Sequence, residues 1–170
     1  MRLILGLLRL FSGTIRLFGE LIETALPRSF RRIGSLIEQP SLYSHLTGAE
    51  NLEIARRLKG LPQSSCDLCI EALGLNSYIS RKTAEYSRGM RQRVGVAIAT
   101  LGNPDLLILD EPTNGMDASG LKAFRELLRK LNRENGTTIL LSSHQFSEVE
   151  QIATHVGILS STGDLLFQGT

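Results

Sequence analysis

Apolar residues recur along this chain in two rhythms, one helical and one of buried strands. Residues 1–9 are apolar nearly all round, which predicts a buried helix. Ser12-Gly13 reads as a turn, Thr14–Phe18 as a short strand ended by Gly19, and Arg31–Ile37 as another strand. Thr47 and Glu50 have capping-box spacing, predicting a helix that runs toward Lys59 and stops at Gly60, with Pro62 beyond. Ser64–Leu73 predicts a second helix ended by Gly74. Ser87 is placed to cap a third, in which Met90, Val94, Ala97, Ile98 and Leu101 recur at helical spacing.

The second half alternates more plainly. Asp105–Leu109 follows a proline and carries four consecutive apolar residues, which suits a parallel strand buried on both faces. Asp117 is placed to cap a helix bearing Leu121, Phe124, Leu127, Leu128 and Leu131, closed by Asn135-Gly136. Thr137–Leu141 reads as a second buried strand, and Phe146, Val149, Ile152 and Ala153 mark a short helix. His155–Leu159 and Asp164–Phe167 read as two further strands joined by a Thr162-Gly163 turn. Strand-helix alternation predicts an α/β fold, a parallel sheet covered by helices. Residues 47–101 show no strand pattern and read as an inserted helical subdomain, leaving 1–46 and 102–170 as the core.

Composition narrows the function classes. With 42% apolar and 21% charged residues, the 170-residue chain reads as one globular domain rather than a disordered one. A net charge of +2, with acids and bases nearly balanced in both halves, argues against a dedicated nucleic-acid binder. The basic clusters Arg28/Arg31/Arg32, Arg56/Arg57/Lys59 and Arg88/Arg91/Arg93 read as solvated faces. The early apolar run Leu3–Leu8 is too short to span a bilayer, and no small-residue cleavage site follows it. Any membrane role would then come through a partner subunit. Cys66 and Cys69 form C-x-x-C within a helical pattern, with no second pair or nearby histidine pair to complete a zinc site. They read as two small, partly buried residues one turn apart.

The chemistry concentrates at Leu106-Leu107-Ile108-Leu109-Asp110-Glu111-Pro112-Thr113. A buried strand ends here in two carboxylates, and ligands collect at the carboxyl ends of parallel strands. Adjacent side chains at a strand end point different ways. One acid can hold a hard cation such as magnesium while its neighbour accepts a proton from an attacking water.

These residues, continuing through Asn114-Gly115-Met116-Asp117, resemble the Walker B motif and D-loop of the ATP-binding subunit of an ABC transporter. Tyr86-Ser87-Arg88-Gly89-Met90 resembles that family's LSGGQ signature, and His144 in Leu141-Ser142-Ser143-His144 resembles its switch histidine. The motifs come in family order and at family spacing, and the resemblance covers essentially the whole chain. It implies the ABC ATPase fold, a P-loop NTPase-like parallel sheet flanked by helices, with ATP and Mg2+ as ligands. It further implies that Asp110 helps hold magnesium, that Glu111 is the general base, and that His144 contacts the γ-phosphate. Ser87, Arg88, Gly89 and Met90 would face ATP held by a second, head-to-tail ATPase subunit, at a helix N-terminus that favours an anion. Asp117 would lie at that dimer interface as well as capping its helix. Membrane-spanning permease subunits would hold the protein at the cytoplasmic face of the membrane.

Two positions depart from the family pattern. Arg88 stands where the signature has glycine, adding bulk and positive charge beside the opposite nucleotide. Glu38, in Ile37-Glu38-Gln39-Pro40, stands at the Q-loop position, where a carboxylate can still ligate magnesium. Glu38 and Tyr86-Ser87 resemble the branch that transports antimicrobial peptides, including lantibiotic and bacitracin export and self-protection.

The family's phosphate cradle, G-x-x-x-x-G-K-S/T, does not occur in this sequence and is expected immediately before Met1. So are the sheet strands of that region. The resemblance therefore implies part of the ATP-binding and ATP-hydrolysing subunit that powers such a transporter; the alternative is a catalytically incompetent fragment, or a partner-dependent module donating Ser87 and Gly89 to an intact subunit. Balanced charge gives little support to a family member acting on ribosomes or chromosomes.

Overall fold

Phe18 and Gly19 have φ of 52° and 87°, the left-handed pair that closes a two-residue hairpin turn. They join β1 (Arg16–Leu17) to antiparallel β2 (Glu20–Leu21). α1 (Ile22–Ser29) follows, then a 3-10 turn at Phe30–Arg32, then β3 (Ile33–Leu36). α2 (Gly48–Lys59), α3 (Ser64–Ala72) and α4 (Arg88–Thr100) form the helical block. β4 (Leu106–Asp110), α5 (Ala118–Asn135), β5 (Thr138–Ser142), α6 (Phe146–Ile152), β6 (Val156–Leu159) and β7 (Leu165–Gly169) complete the chain. This computed structural model describes residues 1–170, apart from the side chains of residues 26–28 and 30, so Arg28 of the first basic cluster lies outside it.

The helix caps follow the sequence signals closely. Thr47 Oγ1 accepts the Glu50 N–H at 3.1 Å while the Glu50 carboxylate accepts the Thr47 N–H at 2.7 Å. Gly60 ends α2 with φ of 67°, and Gly136 ends α5 with φ of 68°. Asp117 accepts the Gly120 N–H at 3.0 Å, and Ser87 accepts the Met90 N–H at 3.2 Å.

β4 is the centre of a parallel sheet ordered β3-β4-β5, with Leu36 opposite Leu109 and Asp110 opposite Ser142. One face carries Leu36, Leu107 and Leu109 and packs on Val94, Val96, Ala97 and Ala99 of α4 and Phe124, Leu127, Leu128 and Leu131 of α5. α4 lies so close to β3 that a β-carbon at Gly34 would collide with the Ala99 carbonyl. The core continues into Leu52, Cys66, Cys69 and Leu73 of the helical block. The opposite face packs Ile33 and Leu106 on Leu17 and Ala25, with Ile4 and Leu5 alongside.

The structure departs from the sequence pattern at several elements. Residues 1–9 are successive turns rather than a buried helix. Gly6 takes φ of 68°, which ends the first turn, and so short a segment does not repay helix nucleation. Only part of it is covered, and Leu3, Leu7 and Leu8 are exposed. Thr137–Leu141 is not buried on both faces: β5 has one strand neighbour, and Thr138 and Leu140 are exposed on the less covered face. β6 does not extend the parallel sheet but pairs antiparallel with β7. The strands foreseen at 14–18 and 31–37 shrink to β1 and β3, and α1, whose sequence contains Pro27, was not foreseen.

Candidate functional site

The three parallel strands end side by side, and each delivers polar residues to one edge. Glu38 follows β3, Asp110 and Glu111 end β4, and Ser142 to His144 close β5. The register places Asp110 and Ser142 opposite each other, and the Ser142 hydroxyl donates to Asp110 Oδ1 at 2.5 Å.

Glu111 takes φ of 47°, which breaks the alternation expected of adjacent strand residues. A non-glycine residue in this conformation persists where its surroundings over-determine it. Three contacts with other segments help to do so here. The Glu111 N–H donates to Ser142 Oγ at 3.0 Å, and the Glu111 carbonyl accepts from Gln92 Nε2 at 3.3 Å. The Glu111 carboxylate meets His144 Nδ1 at 2.8 Å. Both acids therefore converge on the end of β5 and the residues just after it, rather than diverging as simple alternation predicts.

Glu38 also has a positive φ, 60°, and its exposed carboxylate pairs with Arg2. The acids at this edge are Asp110, Glu111 and Glu38; with the Glu111 carboxylate turned to His144, Asp110 and Glu38 are the remaining carboxylate donors, all oxygen. That chemistry fits Mg2+, which takes oxygen ligands and keeps several waters rather than filling an all-protein cage.

A second cluster forms around the start of α4. A β-carbon on Gly89 would collide with the Gly115 carbonyl, and the aliphatic stem of Arg88 lies against Gly115, which has φ of 80°. The signature segment thus packs on the 113–116 loop of its own chain. Arg88 lines a shallow cavity of about 330 Å³ with Gln39, Pro40, Tyr86, Arg91 and Gln92. Asp117 is ion-paired with Arg93 and accepts from Ser119 Oγ at 3.0 Å. The Gly120 amide foremost, then Ser119 and Arg93, hold its carboxyl below the usual range. Arg93 is thus not part of a solvated face: it is half-buried and ties α4 to the start of α5.

The sequence profile described as ABC transporter matches residues 1–114. The chain belongs to the ABC transporter family. It is 44% identical to the bacitracin transport ATP-binding protein BcrA of Enterococcus faecalis, over 94% of this chain and 52% of that protein. It is 38% identical to the lantibiotic transport ATP-binding protein SrtF of Streptococcus pyogenes, over 94% of this chain and 68% of that protein. The chain spans about half the length of the bacitracin relatives it matches, 52% of each. A solved ATP-binding subunit of an ABC transporter superposes with a TM-score of 0.84 at 29% identity, over 99% of this chain and 71% of that one. A second neighbour, an ATP-binding cassette solved as a dimer bound to ADP and Pi, has a TM-score of 0.88 at 23% identity and shares the fold. It is covered over 77% of its length and covers 99% of this chain. The P-loop NTPase-like α/β fold of ABC ATPases is therefore the fold of this chain.

On this family fold, Ser142 bridges Asp110 and Glu111, and Glu111 meets His144 directly. Arg88 and Gly89 meet Gly115, while Ser87 and Met90 share the cap of α4 and Asp117 meets Arg93. Glu38 reaches the same edge, but its side chain is engaged by Arg2. Four residues joined to these sites were not singled out from the sequence for that part: Ser142, Gln92, Arg93 and Arg2. Ser142 was discoverable only through the strand register. Gln92 and Arg93 sit at the start of a helix whose docking on the 110–117 segment is set by tertiary packing. Cys66 and Cys69 are free and buried on α3, and burial pushes both thiols up.

Proposed function

We propose that this chain forms part of the ATP-binding and ATP-hydrolysing subunit of a transporter for antimicrobial peptides, serving export or self-protection. The observation that carries the reading is the Glu111–His144 contact at 2.8 Å, set beside Asp110 at the carboxyl edge of a parallel sheet. The similarity to bacitracin and lantibiotic transport ATP-binding proteins supports the cargo class.

Glu111 serves as general base, accepting the proton of the attacking water. His144, with Nδ1 turned to Glu111, leaves Nε2 as the ring nitrogen available to the γ-phosphate. Asp110 and Glu38 would hold Mg2+, which when bound neutralises charge on the phosphate oxygens. Residues 47–101 act as the signature subdomain, and residues 1–46 with 102–170 as the core. Ser87, Arg88, Gly89 and Met90 face ATP bound by a second ATPase subunit, with Asp117 at the interface. Permease subunits hold the assembly at the cytoplasmic face of the membrane. Among the described residues, no helix is long and apolar enough to cross a membrane. The test is ATP binding and turnover with a phosphate cradle supplied ahead of Met1 in the same polypeptide. Mg2+-dependent turnover supports the reading, and failure to bind ATP contradicts it.

A second reading is favoured by the exposure of Ser87 and Arg88 at the N-terminus of α4. In it the chain donates its signature to an intact ABC subunit. ATP-dependent association with such a subunit supports this reading, and no association with or without ATP ends it.

A further inference from the structure

Ser142 sits at the end of β5, and one atom of it touches both Asp110, the last residue of β4, and Glu111, which follows it. Its hydroxyl donates to Asp110 Oδ1 at 2.5 Å and accepts the Glu111 N–H at 3.0 Å. We infer that Ser142 is a positioning residue for both carboxylates, a hydroxyl clamp that aims Asp110 and holds Glu111 in its left-handed backbone. This rests on the roles proposed above for Asp110 and Glu111.

The chemistry of the clamp is restrictive. One side-chain atom must donate and accept at once, and serine and threonine offer that with a single rotatable hydrogen. Alanine and valine offer neither. Because Asp110 and Ser142 are register partners on neighbouring strands, their side chains leave the same face of the sheet. One hydrogen bond uses only part of the acceptor capacity of the Asp110 carboxylate, so it can still take a cation while its orientation is fixed. On the other side, the bond to the Glu111 amide fixes the residue at φ of 47°, the conformation from which its carboxylate reaches His144. The neighbouring serine has a different task. Ser143 Oγ accepts the Gln145 N–H at 3.1 Å and serves the approach to α6. Only the first of the two serines contacts the acids.

The test compares Ser142→Thr with Ser142→Val, a pair equal in size that differ in the hydroxyl. Amide hydrogen exchange at Glu111, the Asp110 carboxyl 13C shift and the His144 Nδ1 15N shift are read by NMR in the 170-residue protein. Loss of the bond to the Glu111 amide is expected to speed its exchange about tenfold in Ser142→Val. The Asp110 and His144 signals move with it, and Ser142→Thr keeps all three near wild type. Glu111 exchange in Ser142→Val within about twofold of wild type would overturn the clamp, as would equal losses in both variants. Should Ser142→Val not fold, an unprotected Glu111 amide in the wild type, or loss of protection in Ser142→Thr, overturns it equally. None of these signals needs nucleotide. A failure to bind ATP would therefore count against the proposed function, while the exchange data alone decide Ser142.

Discussion

Gly89, in the first turn of α4, faces the carbonyl oxygen of Gly115 with no room for a β-carbon between them. The signature segment and the loop after the acid pair are thereby packed as one piece. Helix propensity favours Gly89→Ala by up to about 1 kcal/mol. The clash is with backbone, which has little freedom to yield, and overpacking typically costs about 1–3 kcal/mol. Gly89→Ala is therefore expected to lower the urea midpoint of unfolding. A raised midpoint would show that the contact is looser than described.

Glu53 gives the clearest pH signature. Hydrogen bonds from Arg56, then from Arg57, pull its carboxyl down from the ordinary 4.5 to about 2. Its folded value lies below its unfolded value, so the stabilisation is present above pH 4.5 and lost as pH falls toward 2. Glu53→Gln should flatten the stability curve through that window and reduce its salt sensitivity. Parallel acid limbs for the wild type and the variant would contradict the assignment.

The Thr47–Glu50 capping box supplies a local test. Thr47→Ala removes the hydroxyl that accepts the Glu50 N–H. The expected loss is about 1 kcal/mol, measured by chemical denaturation. A loss within error of zero would mean that tertiary packing alone holds the start of α2.

Phe124 on α5 is fully buried between that helix and the sheet face bearing Leu107 and Leu109. Phe124→Ala should cost about 3–5 kcal/mol, the range for a large aromatic removed from a core that relaxes only partly. A cost under about 1 kcal/mol would mean the α5 face collapses freely around the gap.

Local chemistry was legible in the sequence, and partner choice between distant segments was not. The caps at Thr47, Ser87 and Asp117 each depend on a side chain and an amide three residues on, so spacing alone reveals them. β4 was legible because Leu107, Ile108 and Leu109 are all fully buried, as an unbroken apolar run implies. The β6–β7 pairing was legible in the Thr162-Gly163 turn that joins them, but nothing in the residues of β6 keeps it out of the parallel sheet. At the site, Asp110, Glu111 and His144 were recognisable as motif residues. Their convergence needs the left-handed φ at Glu111 and the Asp110–Ser142 register, which arise only when separate segments meet. Glu38 was visible as a departure from the family pattern, but its pairing with Arg2 joins residues 36 positions apart.

The central claim is that Glu111 is the base of an ATP-hydrolysing site. The most direct measurement is ATP turnover and ATP affinity of Glu111→Gln against wild type. Both proteins would carry the phosphate cradle ahead of Met1 and be assayed with Mg2+. Loss of a positioned base costs about 10²–10⁴-fold in rate. The account predicts a turnover loss in that range with ATP affinity retained, and turnover retained in Glu111→Gln would contradict it.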